Sequence, residues 1–404
     1  MRIALHTQYF APEPGAPSAR LKSLASTAMA RGHDVCVLTG MPSYPQGVIQ
    51  PGYGGTWKRD EVDGVPVFRS YVYPSNSLRT LPRVASYSAF AASSAIAGLA
   101  LPPIDLLITE SPPLTTGPAG YFVAKAKRAK WIFNVSDLWP KSAVELGVLT
   151  GRRAIQAAER LEAFCYRSAW MVSGQSESIL ADIHHRFPAA RTVALLNGVD
   201  TQLFGPHLRD EHLKSTELGG GFVALYAGLH GLAQGLRQLL DAAALLRDLP
   251  EVRIVLIGDG PEKEALIADA LARGLHNVRF LPGRPPVEVP ALLASADVAL
   301  VPLRGAITGA VPSKVYEAFA SGLPVVLAAD GEAAEIVESS GAGLVVSPDA
   351  PNEIASAIRS LYESPERRAA MAKAGRVAAT SRFDRVASAN RFLEVVEHEW
   401  AKGQ

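Results

Sequence analysis

Short apolar runs, each leading into a Gly/Pro loop and then a helical pattern, recur along the whole chain, and that rhythm leaves few folds open. IALHT (3–7), DVCVLT (34–39), VPVFRS (65–70), DLLITE (105–110), WIFNV (131–135), WMVSG (170–174) and TVALLN (192–197) are apolar almost throughout. Strands covered by crossover helices on both faces have this composition, so a parallel, doubly wound α/β sheet is expected. After the turn-rich run NGVDTQLFGP and three glycines ending at Gly221, the rhythm restarts. FVALYAG (222–228), RIVLIGDG (253–260), VRFLPG (278–283), VALVPL (298–303), PVVLAA (324–329) and GLVVSP (343–348) are its strands. A chain of 404 residues has room for two such domains. The expected division is 1–200 and 201–384, both Rossmann-like, facing each other across a ligand cleft at the strand ends.

Residues 298–335 concentrate the candidate chemistry. VALVPL is followed by a Gly-rich loop, then Pro312-Ser313 and a helical pattern, Lys314 to Ser321, closed by Gly322. Such a unit sets a helix N-terminus beside the strand ends, where free N–H groups and the helix dipole favour an anion. Lys314 and Glu317 are three apart and share a face of the first turn. The pair suits a nucleotide's phosphate and ribose hydroxyls, and equally a local ion pair.

The first domain carries weaker signals. Its first loop, APEPGAPS, has only Gly15 between prolines and is no GxGxxG fingerprint, so a dinucleotide loses weight. Residues 40–64 read as one long loop, whose Tyr44, Tyr53 and Trp57, with Phe10, predict an ordered lid or substrate wall. Residues 84–101 read as a small-residue helix packed on a sheet or touching a membrane surface without crossing it. Between 120 and 170 there are nine Lys or Arg against four Asp or Glu. That excess fits an ordinary solvated face, or attraction to anionic lipid or a pyrophosphate-bearing acceptor. The net charge of +1 argues against a nucleic-acid-coating protein. Cys36 and Cys165 sit in apolar patterns, as reduced core residues do, and the nine histidines lack ligand spacing. MRIALHTQYF reads as a first strand and not a signal peptide, so a cytoplasmic location is expected.

The ordered set RGHDVCVLTG, SDLWP, NGVD with Phe204, YAG, IGDGPEK, NVRFLPG, ADVALVPL and PSKVYEAFASGLPVVLA followed by Glu335 resembles the retaining, nucleotide-sugar-dependent glycosyltransferases of family four, which have the GT-B fold. The resemblance spans the whole chain and is closest to the bacterial O-antigen L-fucosamine (N-acetylfucosamine) transferase type. It implies that the first domain holds the acceptor, that the second holds the nucleotide sugar, and that a terminal helix, 385–404, returns to the first domain. By the same resemblance Glu317 binds the ribose hydroxyls, and Ser313 and Lys314 meet the diphosphate. Gly15 matches a glycine loop approaching the phosphates, Gly258, Asp259 and Gly260 a loop beside the nucleotide, and Gly283-Arg284 a loop near the base.

The departures from the family pattern are specific. The partner glutamate expected eight positions before Glu317 is Gly309. The Arg and Lys usual after YAG are absent, with His230 and Gln234 in that loop, which makes Lys314 and Arg20 or Lys22 the candidate replacements. Ser136 stands where a histidine usually precedes the aspartate, leaving Asp137 as the polar group expected near the reacting sugar, with Glu110 as another candidate to orient the acceptor. Asp137, Lys314 and Glu317 are therefore the expected catalytic set.

The resemblance implies a UDP-sugar donor, no metal and no separate cofactor. The transferred unit would be a hexose of the N-acetylated or deoxy kind. The implied acceptor is an undecaprenyl-pyrophosphate-linked sugar at the inner membrane surface, approached through helix 84–101 with Arg79 and Arg83 and the basic run 125–130. A UDP-N-acetylglucosamine 2-epimerase shares the two-domain fold but needs no acceptor. A two-domain sugar-binding or scaffold protein is the non-enzymatic alternative, a class that usually carries a secretion signal.

Overall fold

The computed structural model describes residues 1–75, 80–304, 309 and 311–403. Two compact units emerge, one of Met1–Asn197 with Gly309 and Arg385–Gln404, the other of Gly198–Ala306 with Ala310–Asp384.

The first unit is built on eight strands: β1 (Arg2–His6), β2 (Asp34–Gly40), β3 (Trp57–Val62), β4 (Val65–Ser70), β5 (Leu106–Ser111), β6 (Lys130–Val135), β7 (Met171–Gly174) and β8 (Thr192–Ala194). Their order is β3-β4-β2-β1-β5-β6-β7-β8. All neighbours are parallel except β3 and β4. β3 corrects the expectation of an unbroken loop over 40–64. WKRDEV pairs with β4 through the two-residue turn Asp63-Gly64, whose φ values of 50° and 80° are those a tight hairpin requires. Its residues alternate exposed and half-buried, with no apolar face to reveal a strand in the sequence.

Helices cover both faces of this sheet. Leu5, Val37 and Ile108 pack with Leu21 and Leu24 of helix Ala16–Ala30 and Phe392 of helix Arg385–Ala401. Leu38, Leu107 and Phe133 pack with Val123 and Cys165 on the other face. The terminal helix is also tied by charge, since Glu397 pairs with Arg31 at 2.6 Å and His33 at 2.7 Å. Cys36 and Cys165 are free and buried. Phe10 is fully buried in the core, so it forms no part of a substrate wall.

The small-residue helix runs Thr80–Gly98. Ser86, Phe90, Ser94 and Ala97 are buried while Val84 and Ile96 are exposed, so one face is core and the other is open. It approaches its neighbour so closely that a Cβ at Gly98 would collide with Val123. Among the described residues no helix is long and apolar enough to cross a membrane.

The second unit holds β9 (Phe222–Ala227), β10 (Val252–Ile257), β11 (Val278–Leu281), β12 (Val298–Pro302), β13 (Val325–Ala328) and β14 (Gly343–Val346), all parallel, in the order β11-β10-β9-β12-β13-β14. The order reverses direction between β9 and β12, the place where such sheets open a crevice beyond the strand ends. Helix Ser313–Ala320 follows β12 and buries Val315, Tyr316 and Phe319 in the core, which fixes where its first turn lies.

Candidate active site

In the second unit the expected donor-site residues lie at the C-terminal ends of β9, β10, β11 and β12. Pro312 precedes helix Ser313–Ala320 in an extended conformation and, as its N-cap, offers the first N–H groups no side-chain acceptor. Lys314 lies in that first turn. Its ammonium is 5.4 Å from the centre of the Tyr226 ring at the end of β9. A Cβ at Gly228, where φ is +153°, would run into the Lys314 side chain, so glycine is what admits the lysine there. Lys314 is half-buried, and protein atoms crowding its ammonium lower its pKa, with Glu317 acting in the opposite direction. Lys314 and Glu317 form no ion pair among the described residues. That sets aside the alternative of a plain salt bridge and leaves the half-buried Glu317 carboxylate available to hydroxyl donors.

Two strand-end loops interlock beside them. His230 N–H donates to Asp259 O at 2.9 Å, and Glu262 N–H donates to His230 O at 3.0 Å. Gly258 and Gly260 leave no room for a side chain against Gly228 and His230. The exposed Asp259 accepts from Lys263 Nζ at 2.7 Å and from Gly283 N–H at 2.8 Å, and the lysine bond holds its carboxyl below the usual range. Lys263 also donates to Gly258 O and Leu281 O, at 2.7 and 3.0 Å. It closes the IGDGPEK motif, to which the sequence reading gives it no role of its own, and it is the cation that ties the 258–260 loop to the end of β11. His230 is fully buried, and its burial, reinforced by Lys263 and Lys314, lowers its pKa to about 4. It is therefore neutral and replaces none of the missing positive charge. Arg284 is already paired with Glu217 and, at 3.7 Å, with Glu288. The structure thus gathers Gly258, Asp259, Gly260, Gly283, Ser313, Lys314 and Glu317 on one end of one sheet, with Arg284 neutralised at its margin.

In the first unit, Gly15 is the N-cap of helix Ala16–Ala30, with φ +132° and no capping side chain. Asp137 follows β6 and accepts from Ser142 Oγ at 2.9 Å; burial raises its pKa. Two proposed charge replacements fail here. Arg20 is fully buried, donating to Glu110 Oε1 at 2.6 Å, to Gln175 Oε1 at 2.7 Å and to Ser136 Oγ, so its charge is spent inside the fold. Lys22 is paired on the surface with Asp63 at 2.6 Å. Glu110 is also removed as an acceptor-orienting group, because Arg20, Asn134 and Ser136 occupy its two oxygens. Within the basic run, Lys127 caps the carbonyls of Leu99 and Leu101, and Lys130 sits 4.4 Å from both Trp170 and Trp400. Arg79 lies outside the described residues.

Residues 15–198 match the Glycosyl transferase 4-like domain, and residues 209–378 match Glycosyl transferases group 1. With its two doubly wound sheets, the protein is a glycosyltransferase of the GT-B fold, family 4-like and related to bacterial polysaccharide-biosynthesis enzymes. A glycosyl transferase of Escherichia coli K12 named for colanic acid biosynthesis, WcaI, is 26% identical over 380 residues, covering 91% of this chain and 93% of that protein. In fold, sucrose-phosphate synthase from Thermosynechococcus elongatus superposes with a TM-score of 0.78 over 100% of both chains at 18% identity. Anabaena Alr3699/HepE in complex with UDP-glucose gives 0.74 over 98% of this chain and 100% of that one, at 20% identity.

Proposed function

We infer that the protein transfers a sugar from a UDP-sugar, with retention, to a lipid-pyrophosphate-linked saccharide in surface polysaccharide assembly. The observation that carries this is the end of the second sheet, where the first turn of helix Ser313–Ala320 sets Lys314 against Gly228 of the loop after β9 and carries Glu317, which has no ion-pair partner among the described residues. The name of the colanic acid relative and the UDP-glucose complex of the fold neighbour agree with it. The second unit would take the donor and the first the acceptor. For the sugar the proposal takes the L-fucosamine type that the motif set resembles, and for the acceptor an undecaprenyl carrier.

The chemistry asked of the chain is modest. As the bond from sugar to phosphate breaks, negative charge grows on the leaving UDP, and the N–H groups of helix Ser313–Ala320 and Lys314 are placed to stabilise it. Glu317 would hold the ribose through its hydroxyls. Same-face attack lets the departing phosphate oxygen take the acceptor's proton, so positioning supplies most of the rate. Asp137 is the polar group proposed beside the reacting sugar. Work at the inner membrane surface from the cytoplasm would use the exposed face of helix Thr80–Gly98, whose Val84 and Ile96 point away from the core.

The test is UDP release from a UDP-sugar with and without a lipid-linked saccharide. Release that depends on the saccharide supports the transferase, whereas acceptor-independent inversion at C2 would replace it with an epimerase.

A further inference from the structure

One ion pair, Lys263 with Asp259, fastens the ends of three strands in the second unit. Lys263 is the first residue of helix Lys263–Ala272, where a cation opposes the helix dipole, so the helix is not what gains from it. Its ammonium donates instead to Gly258 O just past β10, to Asp259 Oδ1 and to Leu281 O at the end of β11, at 2.7, 2.7 and 3.0 Å. These bonds occupy all three of its N–H donors, so none is left to point at a phosphate. The other oxygen of Asp259 accepts Gly283 N–H at 2.8 Å, and a Cβ at Gly283 would collide with that carboxylate. The main-chain oxygen of Asp259 accepts His230 N–H at 2.9 Å, which brings in the loop after β9.

We propose that Lys263 is a positioning residue of the donor site: through Asp259 it fixes the loops after β9, β10 and β11 that receive the nucleoside end of the donor, and it leaves the diphosphate end to Lys314. This rests on the donor reading above. The loop Gly283-Arg284, which the resemblance sets near the base, has its backbone held by Asp259 before any nucleotide arrives. A loop already ordered loses less freedom on binding, so the strap acts on donor affinity without touching the donor. Its parts suit that task better than a part in the core. Asp259 is 68% exposed, and an ion pair so open to water adds little to global stability. Lys314 is placed independently of the strap, by its own helix after β12 and by the Tyr226 ring. The two lysines therefore divide the site, one facing the ligand and the other setting the loops around it.

The test uses the full chain in calorimetric titrations with UDP and, separately, with inorganic pyrophosphate, which has the diphosphate but no nucleoside. Lys263→Met is expected to weaken UDP binding about tenfold, the scale of one charged hydrogen bond, with pyrophosphate affinity unchanged. Lys263→Arg, which keeps the charge and the N–H donors, is expected to recover most of the UDP affinity. Asp259→Ala removes the strap from its exposed side and is expected to repeat the loss, which keeps the test open should Lys263→Met fail to fold. Lys314→Ala is expected to weaken both probes. UDP affinity unchanged in both strap variants would overturn the proposal, and so would a loss of pyrophosphate affinity as large as that of UDP. A wild-type chain that does not bind UDP would take away the donor reading itself and this proposal with it, whereas UDP binding indifferent to the strap would remove the proposal alone.

Discussion

The ammonium of Lys314 lies 5.4 Å from the ring centre of Tyr226, held over the end of β9 in a space that Gly228 leaves open. The pairing joins the first turn of helix Ser313–Ala320 to the central strand of its sheet. It also explains how one lysine can be kept half-buried with no ion-pair partner among the described residues. The ring face compensates part of the lost hydration, an effect worth about 0.5–2 kcal/mol.

Lys314→Ala should cut turnover by about a hundredfold, the scale seen when a group that stabilises developing charge is lost. Lys58→Ala should leave it nearly unchanged. Lys58 lies on edge strand β3, bonded to Gly52 O and 4.7 Å from the Tyr53 ring. Initial rates for the two variants decide the matter, and equal losses would remove Lys314 from the phosphate.

Glu317→Ala should weaken UDP-sugar binding at least tenfold, because an ionic acceptor of two hydroxyls contributes about 1.5–3 kcal/mol. No protein partner would be orphaned by the change, since the carboxylate has none among the described residues. Thermal stability should therefore hold while calorimetric affinity falls.

Much of this was legible beforehand, for physical reasons. Parallel strands buried on both faces write themselves as apolar runs, and so both sheets and helix Ser313–Ala320 could be read from spacing alone. β3 could not, because an edge strand with alternating exposed and half-buried polar residues has no apolar signature; Asp63-Gly64 was its one visible signal. Charge was misread in the same way. Arg20 and Lys263 look alike in sequence, yet one is spent inside the first sheet and the other clamps the 258–260 loop. Which of these a lysine or arginine does depends on partners 90 or 18 residues away, which no local pattern carries.

Glu13 gives a pH dependence of definite sign. Burial lifts its pKa to about 7, against the opposing bonds from Ser43 and Tyr44 N–H and the charge of Arg69. An acid whose folded pKa lies above its unfolded value binds protons more tightly when folded. Its contribution is greatest below the unfolded pKa near 4.5 and declines as pH rises to about 7. The change across that window is on the order of 3 kcal/mol. Tyr9 and Tyr44, which also face it, stay neutral throughout, as burial raises both. Glu13→Gln should flatten this decline in urea melts taken between pH 5 and 7.5.

The Arg20–Glu110 pair separates a structural cation from a substrate-binding one. Both side chains are at most 2% exposed, and each has further partners: Gln175 and Ser136 for the arginine, Asn134 and Ser136 for the glutamate. Removing one partner leaves the other charge buried without compensation, at a cost of about 3–5 kcal/mol, whereas removing both replaces the pair by neutral groups at a much smaller cost. Arg20→Met alone should therefore lower stability sharply, and Arg20→Met with Glu110→Gln should recover most of the loss. A double-mutant cycle in urea measures the coupling directly. UDP affinity of the folded double variant should match the wild type, since the arginine never faces a phosphate. A fall in that affinity with stability restored would return Arg20 to the donor site and overturn its assignment to the core.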